Sequence, residues 1–294
     1  MGIYAFGTYG AFLYFRSRQP YRGENGAGRT WDEIADSYDG ELGLDETLMG
    51  IKLLRRWLVR KAEGDVLEVS AGTGRNLPYY RYDQLNSLTL TDSSKYMLWH
   101  ASQKYRDRQA AKGSSLPVCF FLSNAENLSN PEPAAAVPNS ALDSPRQPPD
   151  VGTPAETPRF GQQSEVSGVF ATRTHAYPEN SFDTVVDTFG LCSHGNPVQA
   201  LKEMGRLCKP EGRILLLQHG KASPDWLNKW LDEGAHKHLM KWGCQWNRDI
   251  ESIVKEAGLE IELLSRWHLG TTYLIIARPP AYHTVESAKM QAGL

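Results

Sequence analysis

The chain has few of the features that would announce a partner. Its four cysteines, Cys119, Cys192, Cys208 and Cys244, lie far apart in 294 residues and none forms a C-x-x-C pair. That spacing suggests neither a zinc ribbon nor a disulfide framework; the expectation is reduced structural thiols and no metal. The net charge is only −2. Without a strong basic field or a basic aromatic stripe, nucleic acid is not an expected partner. The apolar run Gly2 to Phe15, "GIYAFGTYGAFLYF", carries no charge but is short. As a helix it covers about 20 Å, against about 30 Å of hydrocarbon. No cleavage site clearly follows it, and no Arg-rich presequence is visible. Gly7 and Ala11 make a small-xxx-small pair, and Tyr4, Tyr9 and Tyr14 suit an interface. Two readings stand for residues 1–16: a membrane anchor, or an arm packed on the domain.

What is present is a core and a rhythm. Hydrophobic residues make up 40% of the chain, enough for one large domain. Residues 17–30 are polar and glycine-rich and read as a linker. Thr30 with Glu33 forms a capping signature for a helix. Leu48, Ile51, Leu54 and Leu58 then carry a helical period that stops at Gly64. From Asp65 apolar strands alternate with helices: "DVLEV", "SLTLTD", "LPVCFFLSNA", "FDTVVDTFG" and "RILLLQHG" are strands, and "NPVQALKEMGRLCK" is a helix ended by "PEG". This alternation predicts a parallel sheet with helices on both faces. "EIELLSRWH" and "TTYLIIAR" flank "LGT" as an antiparallel hairpin. The expected fold class is therefore α/β: five parallel strands plus a terminal hairpin. The interval 129–177 breaks the rhythm. Eight of the 17 prolines fall between Pro131 and Pro158. Such a segment buries too little apolar surface to offset its ordering entropy, so it reads as a disordered insertion within a domain spanning 31–278. The tail 279–294 is expected to fray.

The loop "SAGTGRN" follows the first strand. Gly72 and Gly74 let a ligand approach the backbone. A triphosphate needs a lysine and a hydroxyl that are missing here. A dinucleotide needs a third glycine where Leu77 stands, and Arg75 and Asn76 carry side chains where a pyrophosphate would sit. S-adenosylmethionine has no phosphate; its ammonium needs an acid and its ribose diol a bidentate carboxylate acceptor. Glu68, ending strand one, and Asp92, ending strand two, meet those needs. Taken alone, Asp92 reads equally well as a cap for the helix that follows.

The blocks "DVLEVSAGTGRN", "LTDSSKYM", "SNAENL" and "FDTVVDTFGLCSHGNPVQALKEMGRLCKPEGRILLLQHG", with the closing hairpin, resemble class I S-adenosylmethionine-dependent methyltransferases of the UbiE-like, type 11 group. The "EVSAGTGRN" form, the "WGCQWN" run and the apolar N-terminus are most similar to the fungal mitochondrial Oms-type methyltransferase-like proteins. The resemblance implies a Rossmann-like seven-stranded sheet and S-adenosylmethionine as cofactor. It implies Glu68, Ser70, Gly72 and Gly74 at the methionine end, with Asn76 in the same cofactor-binding set. Asp92 then holds the ribose, with Ser93 and Met97 beside the adenine, and Asn124 and Ala125 face the adenine ring. Thr188, Phe189 and Gly190 sit near the sulfur, and Tyr38 closes over the cofactor. Ser70 departs from the usual first glycine, and Asn124 from the frequent acid.

Methyl transfer needs alignment and exclusion of water, and a base only where the acceptor is protonated. His194 and His219, in the loops after strands four and five, are the candidate bases; a loop histidine is otherwise an ordinary surface or hydrogen-bonded residue. Trp226, Trp230, Trp242 and Trp246, with His236, His238 and Cys244, form either amphipathic helix packing or an aromatic pocket for a flat or lipidic acceptor. The expected function is methyl transfer to a small or lipid-soluble acceptor by a membrane-tethered enzyme. The alternative is a cofactor-binding assembly factor with little turnover. The resemblance also implies the mitochondrial inner membrane.

Overall fold

The computed structural model describes residues 30–112, 116–128, 171–172 and 177–280. The apolar run 2–15, the linker up to residue 29, most of the interval 129–177 and the tail beyond 280 lie outside the described residues.

Helix α1 (Trp31–Leu48) opens on the expected capping box: Thr30 Oγ1 accepts from the Glu33 backbone N–H, and Glu33 Oε2 accepts from Thr30 N at 2.7 Å. The helical period expected to run unbroken to Gly64 is split. Gly50 sits at φ 69°, left-handed, and α2 (Ile51–Val59) restarts beyond it. Leu48 therefore points to solvent, 73% exposed.

The strands are β1 (Gly64–Val69), β2 (Leu85–Asp92), β3 (Val118–Leu122), β4 (Ala171–Thr172), β5 (Phe182–Thr188), β6 (Cys208–His219), β7 (Glu260–Trp267) and β8 (Thr272–Arg278). Between them run α3 (Lys95–Lys112), α4 (Pro197–Leu207), α5 (Asp225–Trp242) and α6 (Ile250–Glu256). The sheet order is β4-β3-β2-β1-β5-β6-β8-β7. Strands β1, β2, β3, β5 and β6 are parallel, and β8 lies between β6 and β7, antiparallel to both. The five parallel strands and the hairpin are as expected.

Two details differ from the expectation. Helix α4 ends at Leu207, so "PEG" lies in the extended start of β6. The interval 129–177 also contributes to the domain. Ala171–Thr172 pairs with Phe121 and Leu122 at the sheet edge, and buried Tyr177 packs edge-on against Phe121 and Phe182. The unpaired edge of β3 explains the strand: its open backbone groups take up whatever chain returns alongside.

Helices cover both faces. Ala200, Leu201, Met204 and Leu207 of α4 and Val254 of α6 bury one face, while Leu58 and Val59 of α2 and Tyr105 of α3 bury the other. The chain runs outward from β1 to β4 and returns to β5 on the opposite side of β1. That reversal opens a crevice between the carboxyl ends of β1 and β5, where open α/β sheets bind ligands.

Candidate functional site

At this switch point lies a cleft of about 660 Å³, its open mouth included. It is lined by the loop after β1, the end of β2, the loop after β5, and the covering helices α1 and α2. Ser70, Gly72, Asp92, Ser93, Met97, Thr188, Phe189, Gly190, His194 and Tyr38 all line it.

Asp92 is oriented by the backbone. Its Oδ2 accepts from Gly72 N at 2.8 Å and its Oδ1 from Ser94 N at 2.9 Å. The carboxylate therefore faces the glycine bend, and each oxygen keeps a lone pair for a ligand hydroxyl. Burial pushes its pKa up to about 6, against the backbone hydrogen bonds. The two loop glycines differ in purpose. Gly72 has φ 54° and a Cβ built there meets nothing within 4 Å, so a ligand can lie against it. At Gly74 a Cβ would stand 2.7 Å from Leu77 Cδ1 and 3.0 Å from Ala101 Cβ. Gly74 lets the loop pack on α3 and does not line the cleft. An acceptor for a diol beside an open glycine is the arrangement that the ribose and amino-acid parts of S-adenosylmethionine require.

Ser70 explains its own departure from glycine. Its φ is 53°, a region costly for a side-chain-bearing residue. Its Oγ lies 3.2 Å from His194 Nε2. Burial pushes the His194 pKa down, so the imidazole stands neutral near pH 7, able to accept a proton.

Besides Gly74, four expected contacts fall elsewhere. Glu68 lies beneath the loop, 2% exposed. Its oxygens accept from Asn76 Nδ2 at 2.9 Å and Tyr80 OH at 2.7 Å, and burial pushes its pKa up to about 7. Asn76 is also buried, and links Glu68 to Thr188 Oγ1 at 3.0 Å. Both hold the site from behind. Asn124 and Ala125 do not face the cleft. Asn124 Oδ1 accepts from Glu126 N at 2.9 Å to cap a short 3-10 turn, and the Ala125 methyl is in the core. The turn chemistry of Asn outweighed the ligand role expected of it.

His219 does not line the cleft either. It stands behind Phe189, edge-on at 5.6 Å between ring centroids, and its Nε2 is 2.8 Å from Cys244 Sγ. Phe189 itself has φ 61°, uncommon for a bulky residue. The tryptophan set packs the region after β6 and leaves the cleft alone. Trp246 stacks on His238 with centroids 4.0 Å apart and donates to Leu231 O, Trp230 leans on Trp246, Trp242 is buried, and Trp226 is exposed. The packing reading of this segment is the one the structure has.

The sequence reading missed Arg55. It is 3% exposed on α2. Nη1 donates to Asn76 Oδ1 at 2.8 Å and Thr188 Oγ1 at 2.7 Å, and Nη2 to Glu46 Oε1 at 2.7 Å. Arg75 reaches Glu46 Oε2 at 2.8 Å and Asp39 Oδ1 at 2.9 Å. Burial pushes Glu46 up, but the two guanidiniums outweigh it and hold its carboxyl below the usual range. Arg55 and Arg75 both line the cleft, and both keep a buried Nε without a hydrogen-bond partner. The only sequence signal was an arginine pair, Arg55–Arg56, on an otherwise amphipathic helix.

The comparisons agree with this geometry. A methyltransferase domain family matches residues 45–264. The chain is 35% identical over 248 residues to "Methyltransferase OMS1, mitochondrial" of Saccharomyces cerevisiae, covering 84% of this chain and 45% of that protein. It is 43% identical over 47 residues to the ubiquinone/menaquinone biosynthesis C-methyltransferase UbiE of Bdellovibrio bacteriovorus, covering 16% of this chain and 20% of that one. The chain thus spans less than half the length of these curated relatives. Among solved structures, an O-methyltransferase family protein from Burkholderia thailandensis superposes with a TM-score of 0.52 at 14% identity, covering 85% of this chain and 61% of that one. A SAM-dependent methyltransferase from Leishmania major does so with a TM-score of 0.50 at 13% identity, covering 84% and 79%. Identities this low speak to the fold alone. A doubly wound sheet closed by an antiparallel hairpin, an acid-and-glycine cleft at its switch point and a family match over most of the chain lead to one conclusion: the chain belongs to the methyltransferase domain family, whose cofactor is S-adenosylmethionine.

Proposed function

We propose that the chain transfers a methyl group from S-adenosylmethionine to a small, lipid-soluble acceptor. The observation that carries this reading is the Asp92 carboxylate, locked onto Gly72 N and facing open space beside that glycine. When bound, the cofactor supplies an electrophilic methyl on a positively charged sulfur. Asp92 accepts from the ribose hydroxyls, with Ser93 and Met97 beside the base. Arg55 and Arg75, two cations sharing one Glu46, pair with the amino-acid carboxylate and use the donors they have spare. Trp31 and Tyr38 on α1 cover the bound molecule and exclude water. His194 would take the proton from a hydroxyl or thiol acceptor that receives the methyl group.

A membrane-side acceptor is supported by two features. The run 2–15 is apolar and uncharged. The helices over the cleft also bear exposed Leu44, Leu48, Leu53 and Trp57, with Lys52, Arg56 and Lys61 beside them, a pattern that suits an interface. Among the described residues no helix is long and apolar enough to cross a membrane. A mitochondrial location is part of the same proposal, supported by the yeast relative's name.

Calorimetry and product analysis test this reading together. Wild-type protein should bind S-adenosylmethionine, and Asp92→Ala should weaken binding by about 100-fold or more, for the loss of a charge-assisted bidentate acceptor. Incubation with organelle lipid extract should yield S-adenosylhomocysteine and a methylated lipid by mass spectrometry. Binding without any product would favour the assembly-factor reading instead. Equal binding by Asp92→Ala would sink the proposed cofactor site.

A further inference from the structure

Behind Phe189 lies a second group of reactive side chains that methyl transfer does not use. Cys192 Sγ, a ring nitrogen of His219 and Cys244 Sγ all lie within 4.8 Å of one another. Both thiols are buried. The three residues are 27 and 25 positions apart in sequence (219 − 192 and 244 − 219), so their meeting is a product of the fold. Cys192 comes from the loop after β5, His219 ends β6, and Cys244 follows the left-handed C-cap Gly243 of α5.

We propose that Cys192, His219 and Cys244 form a binding site for a soft divalent cation, zinc. Two thiolates and one imidazole are the donor set that zinc accepts in tetrahedral geometry, with a water in the fourth position. On binding, each thiol gives up its proton to solvent and the imidazole donates as the neutral ring.

The surroundings hold the donors in place. Gln245 N donates to Cys192 O at 2.8 Å, Arg248 Nη1 to Leu191 O at 2.8 Å, and Arg248 Nη2 to His194 O at 2.6 Å. Gly243 N–H bonds Leu239 O at 2.7 Å, which fixes the turn presenting Cys244. His219 is wedged edge-on between Phe189 and His238. Fixed outer partners of this kind are what orient metal ligands. The ion would clamp the turn after α5 to the loop carrying Phe189–His194, on the far side of the Phe189 ring from the cofactor. Spacing along the chain gave no hint of this site, because its ligands come from three separate segments.

The test uses the full chain, fully reduced, stripped of metal with a chelator and checked for folding by circular dichroism. Zinc titrated against a chromophoric chelator should bind at about one equivalent per chain, more tightly than about 1 μM. Cobalt(II) should give a near-ultraviolet thiolate charge-transfer band with intense tetrahedral visible bands. Cys192→Ala, Cys244→Ala and His219→Ala should each lose these, and Cys119→Ala should keep them. Three results would overturn the proposal: a folded, reduced wild-type chain that takes up no zinc; a cobalt spectrum without the thiolate band; or a Cys192–Cys244 disulfide in the protein as isolated. Metal content is read without any methyl acceptor, so failure here and failure of the methyl-transfer reading are separate outcomes.

Discussion

The two halves of the cleft are built by different means. On the cofactor side, at the ends of the paired strands β1 and β2, the ligand-facing acid is held by main-chain bonds: Asp92 takes the N–H groups of Gly72 and Ser94. On the transfer side, at the ends of β5 and β6, the loop Thr188–His194 carries the left-handed Phe189 and is held by side chains from remote segments, Arg55 and Arg248 among them. A binding half resting on backbone tolerates change in its neighbours. A transfer half resting on side chains does not.

The sharpest way to break this contrast is Arg55→Met. Arg55 alone among the described residues donates to both Asn76 of the first half and Thr188 of the second. Its loss leaves Asn76 Oδ1 and one Glu46 oxygen without their donor, while Thr188 Oγ1 still accepts from Asn76 Nδ2 and Arg75 still pairs the other Glu46 oxygen. We expect a stability loss of about 3 kcal/mol, the lower end for breaking a buried ion pair, read by urea unfolding. Gly190→Ala comes next. A Cβ there would stand 2.3 Å from Asp187 Oδ1 and 2.7 Å from Ser70 Cβ, where the two halves touch. Overpacking of this kind costs about 1–3 kcal/mol and should depress methyl transfer more than cofactor binding, which a KM-against-kcat comparison would separate.

A gentler probe is pH. Burial raises Asp92 from 3.8 to about 6, so the folded apo chain holds this proton more tightly than the unfolded chain does. Its contribution to stability is present below about 4 and is lost as pH rises through about 6. Cofactor binding runs the other way, because the diol needs the ionised acceptor. Affinity should fall by up to tenfold per pH unit below about 6, and Asp92→Asn should flatten that slope in calorimetry. Smallest of all is Ser70→Gly. Relief of its left-handed backbone should stabilise the chain by about 1 kcal/mol, partly offset by glycine's entropy, while removing the His194 contact. A higher melting temperature with slower turnover would agree with both roles.

The same contrast explains what could be read from sequence. Gly72 and Asp92 were legible because a loop after one parallel strand and an acid after the next are local signals, set by strand length and turn chemistry. The alternation of strands and helices was legible for the same reason, as was the closing hairpin around "LGT". Arg55 was hidden because an arginine on an amphipathic helix reads as solvated until tertiary packing buries it. Gly50 was passed over because Leu48, Ile51, Leu54 and Leu58 continue the helical period across it. Asn124 was misjudged because ligand contact and turn capping place the same residue type at the same position. Residues 171–172 were lost in a proline-rich interval, since a two-residue pair at a sheet edge leaves no periodicity to detect.

The left-handed Gly50 has a mechanical meaning. Helix α1, with Trp31 and Tyr38, meets α3 through a small buried cluster of Ile34, Ala35 and Met97 and through the polar pairs Asp36–His100 and Asp39–Lys104, with Asp32–Ser94 just ahead of α3, whereas α2 is rooted in the core through Leu58 and Val59. The tip of the hairpin grips the joint from outside, with His268 Nε2 2.8 Å from Met49 O. A swing of α1 about that pivot would therefore have to part the Ile34–Ala35–Met97 cluster and the buried Glu46 pairs to Arg55 and Arg75 as well as the weaker polar contacts, so the joint at Gly50 aims a firmly seated cover over the cleft.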